Sequence, residues 1–512
     1  MSYKKIIVVF IFSLGIFLRL YQLNKLPPGL DVDEASFTYD AYSIVQTGKD
    51  RYGETLPLAF RSFGTYLQPI YVYLETIPVF LFGPSVFSGR VVAIFFSILL
   101  ILVTYFLIPE PKILTLLLIS ISPWAIFFGR GGHEASVALT LFVLSILLFL
   151  KSLSKPKLIV LVFFIAGIAS ETYYTEWFLS LIFFPVLLWM YKDIFLRRKK
   201  YLIIGLVLFL ITQIPHLLLL QSDALIRRVQ QINYFNQPPL TIIHEFVTHY
   251  LEYFSPRSLF FDPDPQLVKS MPDLSIFYTW MIIPIFFGIK VLLKNKSDIN
   301  KILLLLLILS PIPAALTLDP FYSMRALELF WVLTIIAGLG VDYLLKLTTA
   351  KVLKTVLISS ILTISLISFY NSYFILLKYE RGDNYGYQYQ KLVTKLKEYP
   401  NKNIVLDSGR FIGVHIWIPL YAKIDPVKFQ SQVVTEIKNN YYNNNNLDEV
   451  TRIDNIEIRP IFWKEDIKKD QILIGDDLAI SPAQISEHKL TPVFQVQGLD
   501  GKVRLRAYQT NP

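Results

Sequence analysis

The densest run of chemically capable side chains is Leu30-Asp31-Val32-Asp33-Glu34-Ala35-Ser36-Phe37, with carboxylates at 31, 33 and 34. They follow, by about ten residues, an apolar run from Ile6 to Leu20 that is long enough to cross hydrocarbon at roughly 1.5 Å of rise per residue. A carboxylate held at a bilayer surface can serve as a general base toward a hydroxyl. The same pattern also starts a helix, with Asp31 as cap and Glu34 at the third position, both favoured by the helix dipole. Glu134, beside His133 at the start of another apolar window, is costly to place in lipid. It should therefore face a wet cavity or cap its helix. His244-Glu245-Phe246-Val247-Thr248-His249 looks like a zinc-protease motif, but its histidines are five apart instead of the four that share a helical face. The chain has no cysteine, which excludes a thiolate metal site, a thiol nucleophile and a disulfide framework. It also lacks a glycine-rich loop followed by Lys-Ser/Thr, so a P-loop nucleotide site is unsupported.

The elements that must position these residues are membrane helices. Of 512 residues, 54% are hydrophobic and only 17% charged, too apolar for a soluble protein of this length. Apolar windows near 4–23, 86–108, 112–129, 134–152, 157–173, 176–192, 201–220, 275–293, 301–317, 326–345 and 352–374 predict about eleven spans. A net charge of +10 would suggest nucleic acid in a soluble protein. Here the basic residues sit in connectors: Lys151, Lys155 and Lys157; Arg197 to Lys200; Lys290, Lys294, Lys296 and Lys301; Lys346, Lys351 and Lys354. With the N-terminus inside, all of them fall on one side, as the positive-inside rule requires, and no nucleic-acid partner is implied. The opposite side receives the first loop, 24–85, the turn 129–134, the long loop 221–274 and the C-terminal residues 375–512. Lys4 and Lys5 before an apolar run could open a signal peptide, but Arg19, Tyr21 and Gln22 stand where small residues would mark a cleavage site. In the first loop, Tyr66 to Phe82 is aromatic but interrupted by Pro69 and Pro78, and is expected to form interfacial helices with Tyr71, Tyr73, Phe80 and Phe82 at headgroup depth.

Residues 375–512 are polar, with an asparagine run at Asn443–Asn446 and strand-like segments at Asn403–Leu406 and Gln471–Ile474. A helical pattern from Tyr387 to Tyr399 precedes the first of these, so the tail is expected to be a small extracytoplasmic α/β domain. Residues 1–374 would form the transmembrane domain.

The order of motifs carries a resemblance. Asp33-Glu34-Ala35-Ser36-Phe37-Thr38-Tyr39-Asp40-Ala41-Tyr42 is followed by Thr47-Gly48-Lys49-Asp50-Arg51-Tyr52-Gly53-Glu54-Thr55-Leu56-Pro57, by Pro69-Ile70-Tyr71-Val72-Tyr73-Leu74, by Leu81-Phe82-Gly83-Pro84-Ser85 and by Arg90. This resembles the first outer loop of GT-C glycosyltransferases, in particular the branch of protein O-mannosyltransferases and lipid A aminoarabinose transferases. Gly129-Arg130-Gly131-Gly132-His133-Glu134-Ala135-Ser136, the stretch Tyr250–Phe260 and Met324-Arg325-Ala326-Leu327 extend the likeness over about residues 1–375.

The resemblance implies a polytopic α-helical membrane enzyme of GT-C architecture that moves a sugar from a polyprenyl-phosphate donor to a hydroxyl on a protein, lipid or glycan, with inversion. The family's catalytic aspartate falls on Asp33, with Glu34 placing it or the acceptor. Attack on C1 of the sugar needs a base for the hydroxyl, whereas the departing phosphate is already a weak base and needs no proton. Its developing charge calls for cations, and Arg130 and Arg325, at outer ends of spans, are candidates for that role or for snorkelling to lipid headgroups. A lysine that some members carry before the proline-aromatic helix is missing from Tyr66-Leu67-Gln68-Pro69, so phosphate binding must be organised otherwise, with Arg61 a candidate. Glu134 would bind acceptor or sugar, and His244 or His249 could reach phosphate or sugar from the loop that this superfamily folds over its site. No metal ligand is assigned, although Asp33, Glu34 and a histidine would suit Mg or Mn. The lipid groove would run between spans, near residues such as Phe163, Phe164, Phe183 and Phe184. Membrane lipids are the surrounding partner and the plasma membrane the expected location. The competing reading is a transporter or flippase of a lipid-linked glycan. Against it, the charged groups gather at one face instead of the midplane, and no broken paired helices are evident.

Overall fold

The computed structural model describes residues 3–347, 349–410, 413–433, 435–443 and 452–512; the asparagine run beyond Asn443 lies outside them. Five helices in this set are long and apolar enough to cross a membrane: Ser88–Leu107, Glu134–Ser154, Asp298–Ala315, Ser323–Leu347 and Lys351–Glu380. A sixth span is reached if Lys112–Ile121 and Pro123–Arg130, bent by 54° at Ser122, count as one. The other expected windows are filled by shorter helices. Pro156–Ser170 and Tyr174–Met190 follow one another through a tight turn, and Tyr3–Leu20 carries Lys4, Lys5 and Arg19. The bundle core runs through Ile101, Phe142, Phe183, Leu306, Phe330 and Trp331, all buried. Phe163 and Phe184 belong to that core as well, so they do not line an open groove.

In the loop 24–85, the helix Val32–Thr47 is capped at both ends, by Asp31 and by Gly48 in a left-handed conformation at φ 71°. A strand pair, Phe60–Ser62 with Thr65–Leu67, leads into the helix Ile70–Phe82. That helix exposes Ile77, Phe80, Leu81 and Phe82 and buries its other face. Tyr71 therefore corrects one expectation: it is buried against Phe37, with its hydroxyl donating to the Gly89 carbonyl at 3.2 Å, because it lies on the inner face. Tyr73 likewise turns its hydroxyl to the Pro57 carbonyl.

The tail folds as expected around a mixed six-stranded sheet. Asn403–Leu406 is central, parallel to Ile456–Ile458 on one side and Gln471–Gly475 on the other. Val503–Gln509 and Thr491–Gln497 extend the sheet antiparallel. The helix Val414–Ala422 packs on Val32–Thr47 and grips the chain just before it. Trp417 Nε1 donates to the Leu30 carbonyl at 2.9 Å, and the Leu30 amide donates to the Tyr421 hydroxyl at 2.9 Å. Tyr39, Asp50 and Arg61 are tied to the same domain through Ile424 and Tyr441.

Candidate active site at the first helix turn

Asp31 closes a capping box: its Oδ1 accepts from the Glu34 amide at 2.8 Å, and Glu34 Oε2 accepts from the Asp31 amide at 2.8 Å. Glu34 is then saturated from two other elements. Arg90, in the first turn of Ser88–Leu107, donates from Nε at 2.8 Å and Nη2 at 3.0 Å, and the Gly132 amide donates at 2.6 Å. Arg90 spends its remaining donors on the carbonyls of Pro27 and Gly29. Gly132 must be glycine for this approach, since a Cβ there would run into the Gly89 carbonyl. The result is a buried knot of hydrogen bonds joining three segments.

Asp33 points elsewhere. Its carboxyl is 37% exposed and lies 3.8 Å from the ammonium of Lys269. Lys269 sits on a single helical turn, Leu267–Lys269, in the long loop 221–274 and is almost wholly buried. It reaches Asp31 at 3.5 Å and His133 Nδ1 at 3.3 Å. Burial works against its charge, yet Asp31, Tyr322, Asp33 and Glu134 hold it protonated well above the ordinary lysine range. Burial also opposes ionisation of Asp31, but Lys269, the Glu34 amide and Arg90 outweigh it and keep that carboxyl below its usual value. Burial and the cations Lys269 and Arg90 push the His133 imidazole down to about 3 against the pull of Asp31, so it is neutral. An ammonium has only donors, which makes His133 Nδ1 the acceptor.

From Lys269 the polar path continues through Tyr322, which lies in electrostatic range of Lys269, Asp33 and Arg325. Burial raises the Tyr322 phenol above its ordinary value. The Arg325 guanidinium stands 4.3 Å from the Tyr322 ring centre and donates to Thr317 Oγ1 at 2.7 Å and Asp319 Oδ2 at 2.9 Å. Beyond it opens an apolar cavity of roughly 230 Å³, with Tyr173, Tyr174, Trp177, Phe178 and Phe235 among its walls and Arg325 in its lining. Site, cation path and cavity are thus contiguous.

Of the residues expected from sequence, Asp33, Glu34, Glu134 and Arg325 gather here, Glu134 within electrostatic range of Lys269. Arg130 is buried and donates to the carbonyls of Leu18, Tyr21 and Leu26 and to the Tyr373 hydroxyl, which makes it a brace between helices. Arg61 lies under the tail domain, bonded to Tyr66 and the Tyr441 carbonyl. His244 is exposed, while His249 is buried with Nδ1 on the carbonyl of Thr317 at 2.9 Å, the residue whose hydroxyl accepts from Arg325. The two histidines lie on different faces of the helix Pro239–Glu252, as their spacing requires. Among the described residues no three His, Asp or Glu side chains are arranged to hold a metal ion. The space between Asp31, Asp33 and His133 carries the Lys269 ammonium, so a divalent cation does not fit there. Glu171 pairs with His216, which also meets Gln68 at 2.9 Å, and Glu176 hydrogen-bonds Glu328 on the neighbouring helix.

Lys269 was missed by sequence reading. Its only local mark is a charged residue in a loop where the motif's expected lysine is absent upstream.

No family model and no curated protein matches the sequence. The fold does match solved structures. ArnT from Cupriavidus metallidurans bound to undecaprenyl phosphate superposes with a TM-score of 0.57 at 13% identity, over 98% of this chain and 97% of that one. The apo form of ArnT matches over the full length of both chains at 12% identity, also with a TM-score of 0.57. The chain has a GT-C fold. AglB, the archaeal oligosaccharyltransferase from Archaeoglobus fulgidus in complex with an inhibitory peptide and a dolichol-phosphate, shares this GT-C fold more distantly, with a TM-score of 0.50 at 14% identity over 82% of this chain and 64% of that one.

Proposed function

We propose that this chain is an integral-membrane glycosyltransferase that moves a sugar from a polyprenyl-phosphate donor to a hydroxyl acceptor at the extracytoplasmic face. The observation that carries the reading is the order of features along one path: an apolar cavity, a guanidinium in its lining, a buried ammonium, and a half-exposed carboxylate. An isoprenoid chain fits the first, a phosphate the two cations, and an acceptor hydroxyl the last. The solved ArnT with undecaprenyl phosphate shares the fold and supports a lipid-phosphate ligand.

Asp33 takes the proton of the acceptor hydroxyl while its oxygen bonds to C1, and the C1–O bond to phosphate breaks with the electron pair leaving on phosphate. Arg325 and Lys269 meet the charge that develops there. Lys269 lies beside the Asp33 carboxylate and is itself fixed by Asp31 and His133. Arg90 and the Gly132 amide hold Glu34 in place, which supports Asp33 as the base of a single displacement with inversion.

The deciding experiment supplies purified protein in detergent with labelled polyprenyl-phosphate sugars and hydroxyl acceptors and looks for free polyprenyl phosphate. Its formation supports the reading. If none forms across a broad panel, yet vesicles move the intact lipid between leaflets, a flippase takes the transferase's place.

The reading places residues 375–512, as an extracytoplasmic domain of a plasma-membrane protein, on the same side as Asp33. A cysteine at the exposed Lys464 of this cysteine-free chain should react with an impermeant thiol reagent on intact cells. Labelling only after lysis would reverse the orientation.

A further inference from the structure

A second cavity, of roughly 320 Å³, opens beside the first, lined by Glu252, Arg257, Asp262, Gln266, Asp319 and Phe321 together with prolines. The chain from Thr317 to Arg325 lines both: Thr317 and Arg325 face the apolar cavity, Asp319 and Phe321 the polar one. Two bonds hold the cavities in register with the reaction centre. Asp319 pairs with Arg325 at 2.9 Å, and Asp264, which accepts from the Gln266 amide at 2.8 Å, accepts from the Ser323 amide at 2.7 Å. Phe321 immediately precedes Tyr322, and Gln266 lies three residues before Lys269.

We propose that this second cavity holds the acceptor, and that the acceptor is a neutral saccharide; the inference rests on the glycosyltransferase reading and names the substrate class of that site. The walls combine hydroxyl-binding side chains with flat apolar ones. Glu252, Asp262, Asp319 and Gln266 are acceptors for sugar hydroxyls, and a carboxylate already holding one partner keeps further lone pairs free. Arg257 supplies donors, while Phe321 and the prolines at 263, 265 and 320 give surfaces on which the C–H face of a pyranose can rest. Charge selects among saccharides. Three carboxylates against two guanidinium groups, Arg257 in the wall and Arg325 on Asp319, leave a formal balance of minus one, which disfavours a phosphorylated or carboxylated glycan and accepts a neutral one. The cavity is also at the low end of the size range for small-molecule sites, about 300 to 1,000 Å³, which suits a terminal sugar or two better than a folded peptide loop.

The test uses the full chain in detergent with no donor present. Binding of neutral oligosaccharides of mannose, glucose, galactose and N-acetylglucosamine, of their phosphorylated counterparts, and of Ser/Thr peptides is measured by native mass spectrometry and saturation-transfer NMR. At least one neutral saccharide should bind, its phosphorylated form at least tenfold more weakly, and Gln266→Trp, which fills the mouth, should weaken binding at least tenfold. Asp262→Asn, which leaves the cavity open, should weaken it severalfold and serves if Gln266→Trp does not fold. Absence of any neutral-saccharide binding, a preference for the phosphorylated forms or the peptides, or binding that neither substitution disturbs would each overturn the proposal. Donor cleavage by the same preparation is read separately. Saccharide binding without donor cleavage would remove the transferase reading, and the acceptor assignment with it, whereas donor cleavage without saccharide binding would remove the acceptor assignment alone.

Discussion

Asp33 and Glu34 are chain neighbours of like chemistry with opposite surroundings. Glu34 faces into the protein, where Arg90, the Gly132 amide and the Asp31 amide take its lone pairs. Asp33 is 37% exposed, with the Lys269 ammonium 3.8 Å away. A helix turns about 100° per residue, so adjacent positions at its start look in different directions. The difference teaches that an acidic pair can divide its labour, with one carboxylate building the scaffold and the other left able to exchange a proton.

The largest effect expected on this comparison is at Asp33. Asp33→Asn should cut turnover by about 10² to 10⁴, the usual worth of a general base, and lower the thermal midpoint in detergent only slightly, because Asp31 and Glu134 still face Lys269. Full activity in the purified variant would move the base elsewhere. On the inner side, Glu34→Gln or Arg90→Met should instead cost stability, by about 3 to 5 kcal/mol, because each strands a buried charge. A Glu34→Gln protein that melts like the parent would show the knot to be dispensable.

Arg325→Ala should lower kcat with saturating donor more than about tenfold, equal to roughly 1.4 kcal/mol in the barrier. Lysine at 325 should restore only part of it, since it gives up the planar two-point contact with phosphate. A change confined to KM would limit Arg325 to ground-state binding. Arg130→Lys should affect stability instead, because the arginine is spent on carbonyls.

Acid should loosen the site. The folded imidazole of His133 is pushed down to about 3 while the free value is 6.5, so the unfolded chain binds the extra proton as pH falls between them and stability is lost in that window. Asp31, also depressed, adds to the loss below its free value of 3.8. His133→Gln, which keeps an acceptor for Lys269, should flatten the fall in melting temperature between pH 6.5 and 4. An unchanged slope would remove His133 as its source. The smallest effect belongs to the tail domain's grip: Trp417→Phe removes one hydrogen bond to Leu30, worth about 1 kcal/mol, and should lower kcat by a fewfold while leaving donor KM alone. Equal changes in both would make the grip structural only.

Much of this was legible in the residues. Length and sign of the apolar windows marked a membrane bundle, the tail's alternating segments marked a sheet, and Asp31-Val32-Asp33-Glu34 marked a capped helix. These rest on local periodicity and capping, which neighbouring residues determine. The likeness of motif order pointed to the GT-C fold that ArnT shares. Arg130 and Arg325 could not be told apart along the chain, since both are arginines at the outer ends of helices. Only packing shows that Arg130 is enclosed by carbonyls at and just beyond the end of the first helix while Arg325 borders a cavity.

By itself, then, the sequence determined the membrane class, the order of elements and the acidic motif, because these are properties of short windows. Tertiary structure alone decided which carboxylate is buried among donors and which stays partly exposed beside a cation. Lys269 stands 238 residues from Asp31 and enters the site by the course of a long loop. Its charge survives there only because Asp31, Asp33 and Glu134, drawn from two other segments, surround it. Such a balance of burial and opposing charge exists only once the segments have met.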